Sequence, residues 1–451
     1  MPQEVTLETM LAARDRRVEK QDTLLKNSDR PLICFTMNIA GPIKNSPLIR
    51  RGFLQGCAWL KAELALARLQ ILHEEQLDAI TGMEGYFCVD ADALEIKRIT
   101  SRIEDTDRLG RLFDMDVLGT DGLKITRSQI GLSDRTCLIC GKPAAVCARS
   151  RSHSVADLQK ETGKILDDYF RRKDVDSIAR NAVRALLYEV LTTPKPGLVD
   201  RTNSGSHKDM DIFTYADSTA ALAPYFSKCA ALGMETAGKS EDVTFEKIRK
   251  EGMLAERDML ITTKGINTHK GAIFSLGLMC AALGRLPHEL WASHDHVLDE
   301  CAAMVKGITQ ADFEGLNSEN AGTAGQKLYL EYGITGIRGQ AEAGYPAVRN
   351  YGYPVLEKLL SYGQPIDRAG STALLAIIAS STDTNLITRS SRETQLQIQK
   401  EIRALLQEEP IPTEDTLKEL DRKFISMNLS PGGSADLLGL CYMLYFSSQD
   451  E

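Results

Sequence analysis

Apolar and polar positions change rhythm several times in the first third of the chain. Residues 5–30 are densely charged and keep a helical spacing. PLICFTMNIAGPIK, residues 31–44, is an apolar run closed by a Gly-Pro turn, which predicts a strand. RRGFLQGCAWLKAELALARLQI repeats apolar residues at helical intervals and predicts a long helix. From YFCVDADALEIKR to TRSQI the rhythm predicts short strands mixed with turns. Up to about residue 150 these elements predict an α+β domain.

Beyond Ser154 long helical periods take over. VDSIARNAVRALLYEVLTT sets Ile178, Ala182, Leu186 and Val190 on one face, with Pro194 as the stop. THKGAIFSLGLMCAALG predicts a helix capped by Thr268 and ended by Gly284, and GSADLLGLCYMLYF predicts another apolar helix. The second part therefore reads as an all-α helical bundle. The charged stretch QKETGKILDDYFRRKDVDS, residues 159–177, is the expected junction. The expected domains are residues 1–170 and residues 171–451.

Composition adds bounds. The chain has 451 residues, 43% hydrophobic and 26% charged, which suits two or three globular domains. A net charge of -8 argues against wrapping nucleic acid or lying on a membrane through a basic face. It leaves room for a local basic pocket with an anionic ligand. The opening MPQEVTLETMLAARDRRVEK lacks an apolar core, so no secretory leader is expected, and no apolar run is long enough to predict a membrane span. Most of the ten cysteines lie in apolar runs, as buried thiols of a reducing compartment do, so a cytoplasmic protein is expected.

Within GRLFDMDVLG, Asp114 and Asp116 stand at i and i+2. On a strand they share a face while Met115 faces the core. Two such carboxylates suit a hard cation such as Mg2+ that bridges a polyphosphate. Arg108 and Arg111 precede them, and Glu104 offers a third acid. A solvated edge strand is the alternative reading of the pair, and the flanking residues favour the functional one. In CLICGKPAAVCARSRSH, Cys137, Cys140, Cys147 and His153 have the donor types of a structural zinc site. The spacing is not that of a standard zinc ribbon, and simply packed thiols stay open. Arg149, Arg151 and His153 read as an anion-binding cluster or as a solvated basic turn.

The second part holds three further sets. In LTTPKPGLVDRTNSGSHKDMDIFTY, Lys195, Arg201, His207 and Lys208 suit phosphates, and Asp200, Asp209 and Asp211 suit Mg2+. Prolines stiffen this segment and glycines let backbone N–H groups approach a ligand. In TTKGINTHKGAIFSLG, Asn267, Thr268, His269 and Lys270 stand at a predicted helix N-terminus, where the dipole favours an anion. A polar surface loop and an ordinary cap account for these two sets as well. Asp383, Asn385 and Asp436 lie near predicted helix ends and can converge on a metal–polyphosphate. SHDHV, residues 293–297, places two imidazoles too far apart in angle to converge, and reads as surface.

The segment from TGMEGYFCVDADALEIKR through GRLFDMDV and CLICGKPAAVCARSRSHS resembles the citrate lyase holo-acyl-carrier-protein synthase family, over about residues 52–166. That resemblance implies attachment of a phosphoribosyl-dephospho-coenzyme A group to a serine of the apo acyl carrier (gamma) subunit of citrate lyase. The set TPKPGLVDR, SGSHKDMD, GINTHKGAIFSLG, YGITGIRG, DTNLITR and SPGGSADLL resembles the triphosphoribosyl-dephospho-coenzyme A synthase family, over about residues 178–445. It implies ATP and 3'-dephospho-coenzyme A as substrates and adenine as a product. On this resemblance Lys195, Asp200, His207, Asp209, Asp211, Asn267, His269, Lys270, Asp383 and Asp436 are the matched residues. Arg338, Asn385 and Arg389 fall in the same motifs. Ser390 and Ser391 depart from it, standing where Gly-Gly is expected.

Together the halves resemble a bifunctional maturation protein. The implied roles are catalytic for Arg111, Asp114, Asp116, Asp209, Asp211 and His269. Mg2+ would sit on Asp114 and Asp116, and on Asp209 and Asp211. Lys195 and Lys270 would hold phosphates. No nucleic acid or membrane partner is expected. Two other classes stay open: an all-α hydrolase of ribosyl-nucleotides joined to an unrelated nucleotidyltransferase, and a nucleotide-sensing module.

Overall fold

A computed structural model of the chain describes residues 3–449. The chain divides into two compact units, Met1–Arg172 and Lys173–Glu451.

The first unit contains α1 (Leu7–Ser28), β1 (Leu32–Met37), α2 (Pro47–Leu66), β2 (Gln70–Ala79), β3 (Gly82–Asp90), α3 (Ala93–Thr106), β4 (Phe113–Leu118) and α4 (Ala144–Ser150), followed by α5 (Val155–Leu191). The strands form one antiparallel sheet in the order β2-β3-β1-β4. Alternation sorts its two faces. Ile33, Phe35, Phe87, Phe113, Met115 and Val117 pack against Phe53 and Leu60 of α2, Ile96, Ile99 and Ile103 of α3, and Ile165, Leu166 and Phe170 of α5. Leu32, Cys34, Tyr86 and Cys88 meet Leu24 and Leu25 of α1 on the other face.

One sequence expectation changes here. Residues 93–106, read as short strands and turns, form α3. Asp92 caps it by accepting from the Leu94 and Glu95 N–H groups. The charged stretch 159–177 does hold the division between the units, after Arg172, and its residues are helical, within α5. Its charges cover the polar face of a helix whose apolar face is buried.

The second unit continues with α6 (Ile212–Thr236), α7 (Glu241–Thr262), α8 (Lys270–Arg285), α9 (His294–Met304), α10 (Ile308–Phe313), α11 (Ala324–Tyr332), α12 (Gly336–Glu342), α13 (Tyr353–Ser361), α14 (Ile366–Ser380), α15 (Thr384–Arg389), α16 (Arg392–Glu408), α17 (Glu414–Ser426) and α18 (Gly432–Ser448). All described strands belong to the first unit. Ile178, Ala182, Leu186 and Val190 are buried along α5, as their spacing predicts. The centre is made by α8, α14 and α18, which are apolar on nearly every side and buried along most of their length. Helices α6 and α8 touch backbone to backbone: a Cβ at Gly233 would lie 2.2 Å from the Ala281 carbonyl oxygen, and one at Gly284 2.3 Å from that of Ala230. The first residue of α8 is Lys270, so His269 is the cap residue rather than Thr268. No described helix is long and apolar enough to cross a membrane.

Candidate functional site

Helix starts converge on one cleft of the second unit, of about 570 Å³. Residues at or beside the N-termini of α8, α11, α12, α15 and α18 line it. Helix N-termini direct N–H groups and positive dipole ends outward, so this wall favours anions. Neither α8 nor α18 has its N-cap side chain bonded to its first turn.

The segment between α5 and α6 supplies the floor. Asp200 organises it by accepting from the backbone N–H groups of Lys195 (3.0 Å), Thr202 (2.7 Å) and Asn203 (3.1 Å). Asp421 on α17 accepts from the Gly197 N–H and the Asn203 amide, both at 2.9 Å. The segment is thereby held in place, and Lys195 is turned inward. Its ammonium is 1% exposed and pairs with Glu189 of α5. Burial pushes the Glu189 carboxyl up from its ordinary value, against the pull of Lys195.

Two histidines face this cleft. His207 is fixed between Arg389, whose guanidinium donates to Nδ1 at 3.1 Å, and Ser430, 2.8 Å from Nε2. An arginine donates only, so Nδ1 accepts and Nε2 carries the proton. Burial and the Arg389 charge both lower the His207 pKa. His269 is 2% exposed. The Thr268 hydroxyl donates to Ser218 at 2.8 Å, and the Ser218 oxygen lies 2.7 Å from His269 Nδ1. With Ser218 passing its own proton to Nδ1, His269 keeps its proton on Nε2. That nitrogen is buried and has no hydrogen-bond partner. Burial and the Lys195 charge lower the His269 pKa to about 3, so the ring is neutral at pH 7.

Two acids stand at the helix starts as well. Asp436 of α18 lies against the first turn of α8, where a Cβ on Gly271 would come within 2.0 Å of Oδ2. Its pKa is pushed well up by burial and by the charges of Glu189 and Asp383. Among the described residues no cation lies within ion-pairing distance of it. Asp383 caps α15 through the Asn385 and Leu386 N–H groups and accepts from the Ser434 N–H (2.7 Å) and hydroxyl (2.9 Å). One carboxylate thus joins the starts of α15 and α18. Burial raises its pKa too.

Of the residues expected from sequence, Lys195, His207, Asn267, His269, Lys270, Arg338, Asn385, Arg389 and Asp436 line the cleft. Lys270 pairs with Glu256 at 3.0 Å, and Arg338 pairs with Asp312. Others fall elsewhere. Arg201 pairs with Asp367 beside a second cleft of about 650 Å³. Asp209 is exposed, its charge acting on His207 and Tyr215. Asp211 is the N-cap of α6, its carboxylate engaged by the Thr214 N–H and hydroxyl at 2.9 Å each. Among the described residues, Asp209 and Asp211 are not gathered with a third metal-binding group. The sequence reading missed Glu189, Ser218, Tyr215 and Asp421. A lone acid inside the apolar run ALLYEVL was the available signal for Glu189.

In the first unit, β4 is an edge strand, and Phe113, Met115 and Val117 are fully buried on one face. Asp114 and Asp116 share the other, opposite Thr36 and Cys34 of β1. Asp116 pairs with Lys124 at 2.5 Å. Asp114 reaches solvent, yet desolvation by its neighbours and then the Asp116 charge raise its pKa. The outer edge of β4 is closed by side chains: Met115 N–H donates to Glu104 at 2.9 Å, Lys97 donates to the Met115 carbonyl at 3.2 Å, and Arg135 to that of Phe113 at 2.7 Å. Arg111 is held by the Thr136 carbonyl at 2.5 Å. Arg108 is drawn away to Glu161.

Cys137, Cys140, Cys147 and His153 come together, with one donor atom from each within 4.8 Å of all the others. His153 therefore joins the thiols, while Arg149 and Arg151 are exposed. Among the described residues this is the one group of three or more His, Cys, Asp or Glu side chains with metal-binding spacing.

Each half of the chain matches a known family. The family model CitX, described as apo-citrate lyase phosphoribosyl-dephospho-CoA transferase, matches residues 5–169. CitG, described as ATP:dephospho-CoA triphosphoribosyl transferase, matches residues 175–451. The protein CitXG of Haemophilus influenzae is 33% identical over 448 residues, covering 97% of this chain and 95% of its own length. The protein CitXG of Leuconostoc mesenteroides subsp. cremoris is 33% identical over 459 residues, covering 98% and 97%.

Proposed function

Because the chain belongs to the CitXG family of fused transferases that mature citrate lyase, we propose that its two sites act in sequence on one prosthetic group. The cleft of the second unit takes ATP and 3'-dephospho-coenzyme A. The bond from ribose C1 to adenine breaks, a coenzyme hydroxyl oxygen bonds to that carbon, and adenine leaves with the proton. The product keeps its triphosphate. The β4 face of the first unit then takes this product and the apo acyl carrier. A carrier serine oxygen attacks the α-phosphorus, the bond to the β-phosphate oxygen breaks, and pyrophosphate leaves with the serine proton.

One observation carries the first assignment: helix N-termini, the buried Lys195 and the unpartnered His269 Nε2 all face a single cleft. A triphosphate suits that wall. The chain Thr268–Ser218–His269 presents a neutral N–H donor to a phosphate or ribose oxygen, a role preorganised by burial. Lys270, Arg338 and Arg389 add positive charge, with Asn267 and Asn385 as neutral donors. Bond cleavage at C1 builds positive charge on the ribose, and Asp436 and Glu189 are the carboxylates that line the cleft. The mutual repulsion and burial that raise Asp436 would be relieved by a divalent cation, so Mg2+ arriving with ATP fits there, with Asp436 as its protein ligand. Asp200 and Asp383 shape the cleft through backbone bonds. In the first unit, Asp114 and Asp116 suit a second Mg2+ that screens the leaving pyrophosphate, and Arg111 suits the α-phosphate.

Incubation of the full chain with ATP, Mg2+, dephospho-coenzyme A and apo carrier tests the reading. Adenine release that needs dephospho-coenzyme A, and a carrier heavier by one phosphoribosyl-dephospho-coenzyme A, are expected. Adenine release without the coenzyme would indicate a hydrolase instead.

A further inference from the structure

The cysteine knuckle between β4 and α5 is unlike the other thiols of the chain. Cys34, Cys57, Cys88, Cys229, Cys280, Cys301 and Cys441 are buried in helices and strands. Cys140 is exposed and Cys137 half-buried, so apolar packing does not account for them. Three sulfurs and one imidazole nitrogen lie within 4.8 Å of one another. Tetrahedral zinc with Zn–S bonds of about 2.3 Å sets its sulfurs about 3.8 Å apart. The Cys140–Cys147 sulfur separation of 3.4 Å is near that value, and far from a disulfide bond of about 2.05 Å.

Two further features bear on a ligand there. His153 Nε2 is buried with no hydrogen-bond partner. Gly141, at φ +71, closes the turn after Cys140, bringing the Gly141 N–H to the Cys137 carbonyl at 3.3 Å. The tight turn sets Cys137 and Cys140 on one side.

We infer that Cys137, Cys140, Cys147 and His153 bind one Zn2+ as a closed structural site. Three thiolates and a neutral imidazole fill the tetrahedron, leaving no position for substrate. Binding releases three protons, one from each thiol. The bound unit carries one net negative charge, and Lys142, Arg149 and Arg151 lie close in sequence to offset it. The site also has a mechanical role. Arg135 and Thr136, directly before Cys137, hold the Phe113 carbonyl of β4 and the Arg111 guanidinium. The Ala144 N–H bonds the Arg135 carbonyl at 2.8 Å, closing the knuckle onto that same segment.

Metal analysis of the full chain, purified without chelator, is the test. One zinc per chain is expected, released by a mercurial thiol reagent and detected with a colorimetric zinc chelator. Cobalt substitution is expected to give the intense visible bands of tetrahedral Co2+ with a thiolate charge-transfer band. Cys140→Ser/Cys147→Ser loses the metal and both spectra. His153→Ala weakens binding, and His153→Cys restores it with an altered cobalt spectrum. A chain free of zinc whose three thiols alkylate equally fast with and without added Zn2+ would overturn the inference. So would a Cys140–Cys147 disulfide in freshly prepared protein, or octahedral cobalt bands.

Discussion

Replacing His269 by Gln should remove a specific pH dependence of stability. The folded pKa of His269 is about 3, against 6.5 for a free imidazole, because burial and Lys195 oppose a second proton. For a base with a depressed folded pKa, the unfolded chain binds the proton first. Stability is therefore fully present above pH 6.5 and is lost as pH falls from there toward 3. Between pH 7 and pH 5 the linkage integral is about 2 kcal/mol, nearly all of the proton uptake being in the unfolded state. The readout is at hand, since the chain has only two tryptophans. Trp291 is 2% exposed in the second unit and donates to the Leu283 carbonyl at 2.9 Å. In a Trp59→Phe background its fluorescence follows urea unfolding of that unit alone. The stability difference between the parent and His269→Gln should narrow by about 2 kcal/mol between pH 7 and pH 5. Parallel curves would refute the reasoning, showing that the imidazole is solvated in the native state. A difference that widens on acidification would mean that His269 gains its proton natively, from a carboxylate partner.

Other consequences share these assays. Lys195→Met leaves Glu189 buried without its partner and should destabilise the second unit by about 3–5 kcal/mol. Lys195→Met/Glu189→Leu should recover most of that loss by Trp291 fluorescence, without recovering adenine release. Gly271→Ala drives a methyl against Asp436 Oδ2. It should lower adenine release by about a hundredfold while urea unfolding changes little, because alanine is the better helix former. Stripping zinc from the knuckle should slow carrier modification, through the loosened hold on Arg111, and leave adenine release unchanged.

Much of this arrangement was legible in advance, for reasons specific to each element. The alternation in FDMDV fixed which side of β4 is buried, since a strand of period two leaves no other choice. The apolar faces of α5 and α8 followed from spacing, and the cap of α8 was misplaced by only one residue. Helix α3 was missed although Asp92, Glu95 and the Ile96, Ile99, Ile103 series announce it. Its charge density masked a stripe only one side wide. The charged stretch 159–177, by contrast, does hold the division between the units, after Arg172. The aspartates of the segment before α6 pose a deeper problem. A carboxylate that accepts from its own loop's N–H groups and one that meets a ligand occur in the same Gly- and Asn-rich context. Asp200 and Asp211 proved to bond their own backbone. Glu189 was not legible because its partner, Lys195, lies past a helix end that spacing does not fold back.

The central claim is that one chain makes the activated group in its helical cleft and spends it at the β4 face. Its most direct test scores both half-reactions in the same tube for Asp436→Asn and for Asp114→Asn/Asp116→Asn, each in the full chain. Asp436→Asn should abolish adenine release, yet still label the carrier when supplied with preformed triphosphoribosyl-dephospho-coenzyme A. The β4 double variant should release adenine at the parent rate and leave the carrier unmodified. If both variants lost the same half-reaction, or if the β4 variant labelled the carrier normally, the division of labour described here would be contradicted.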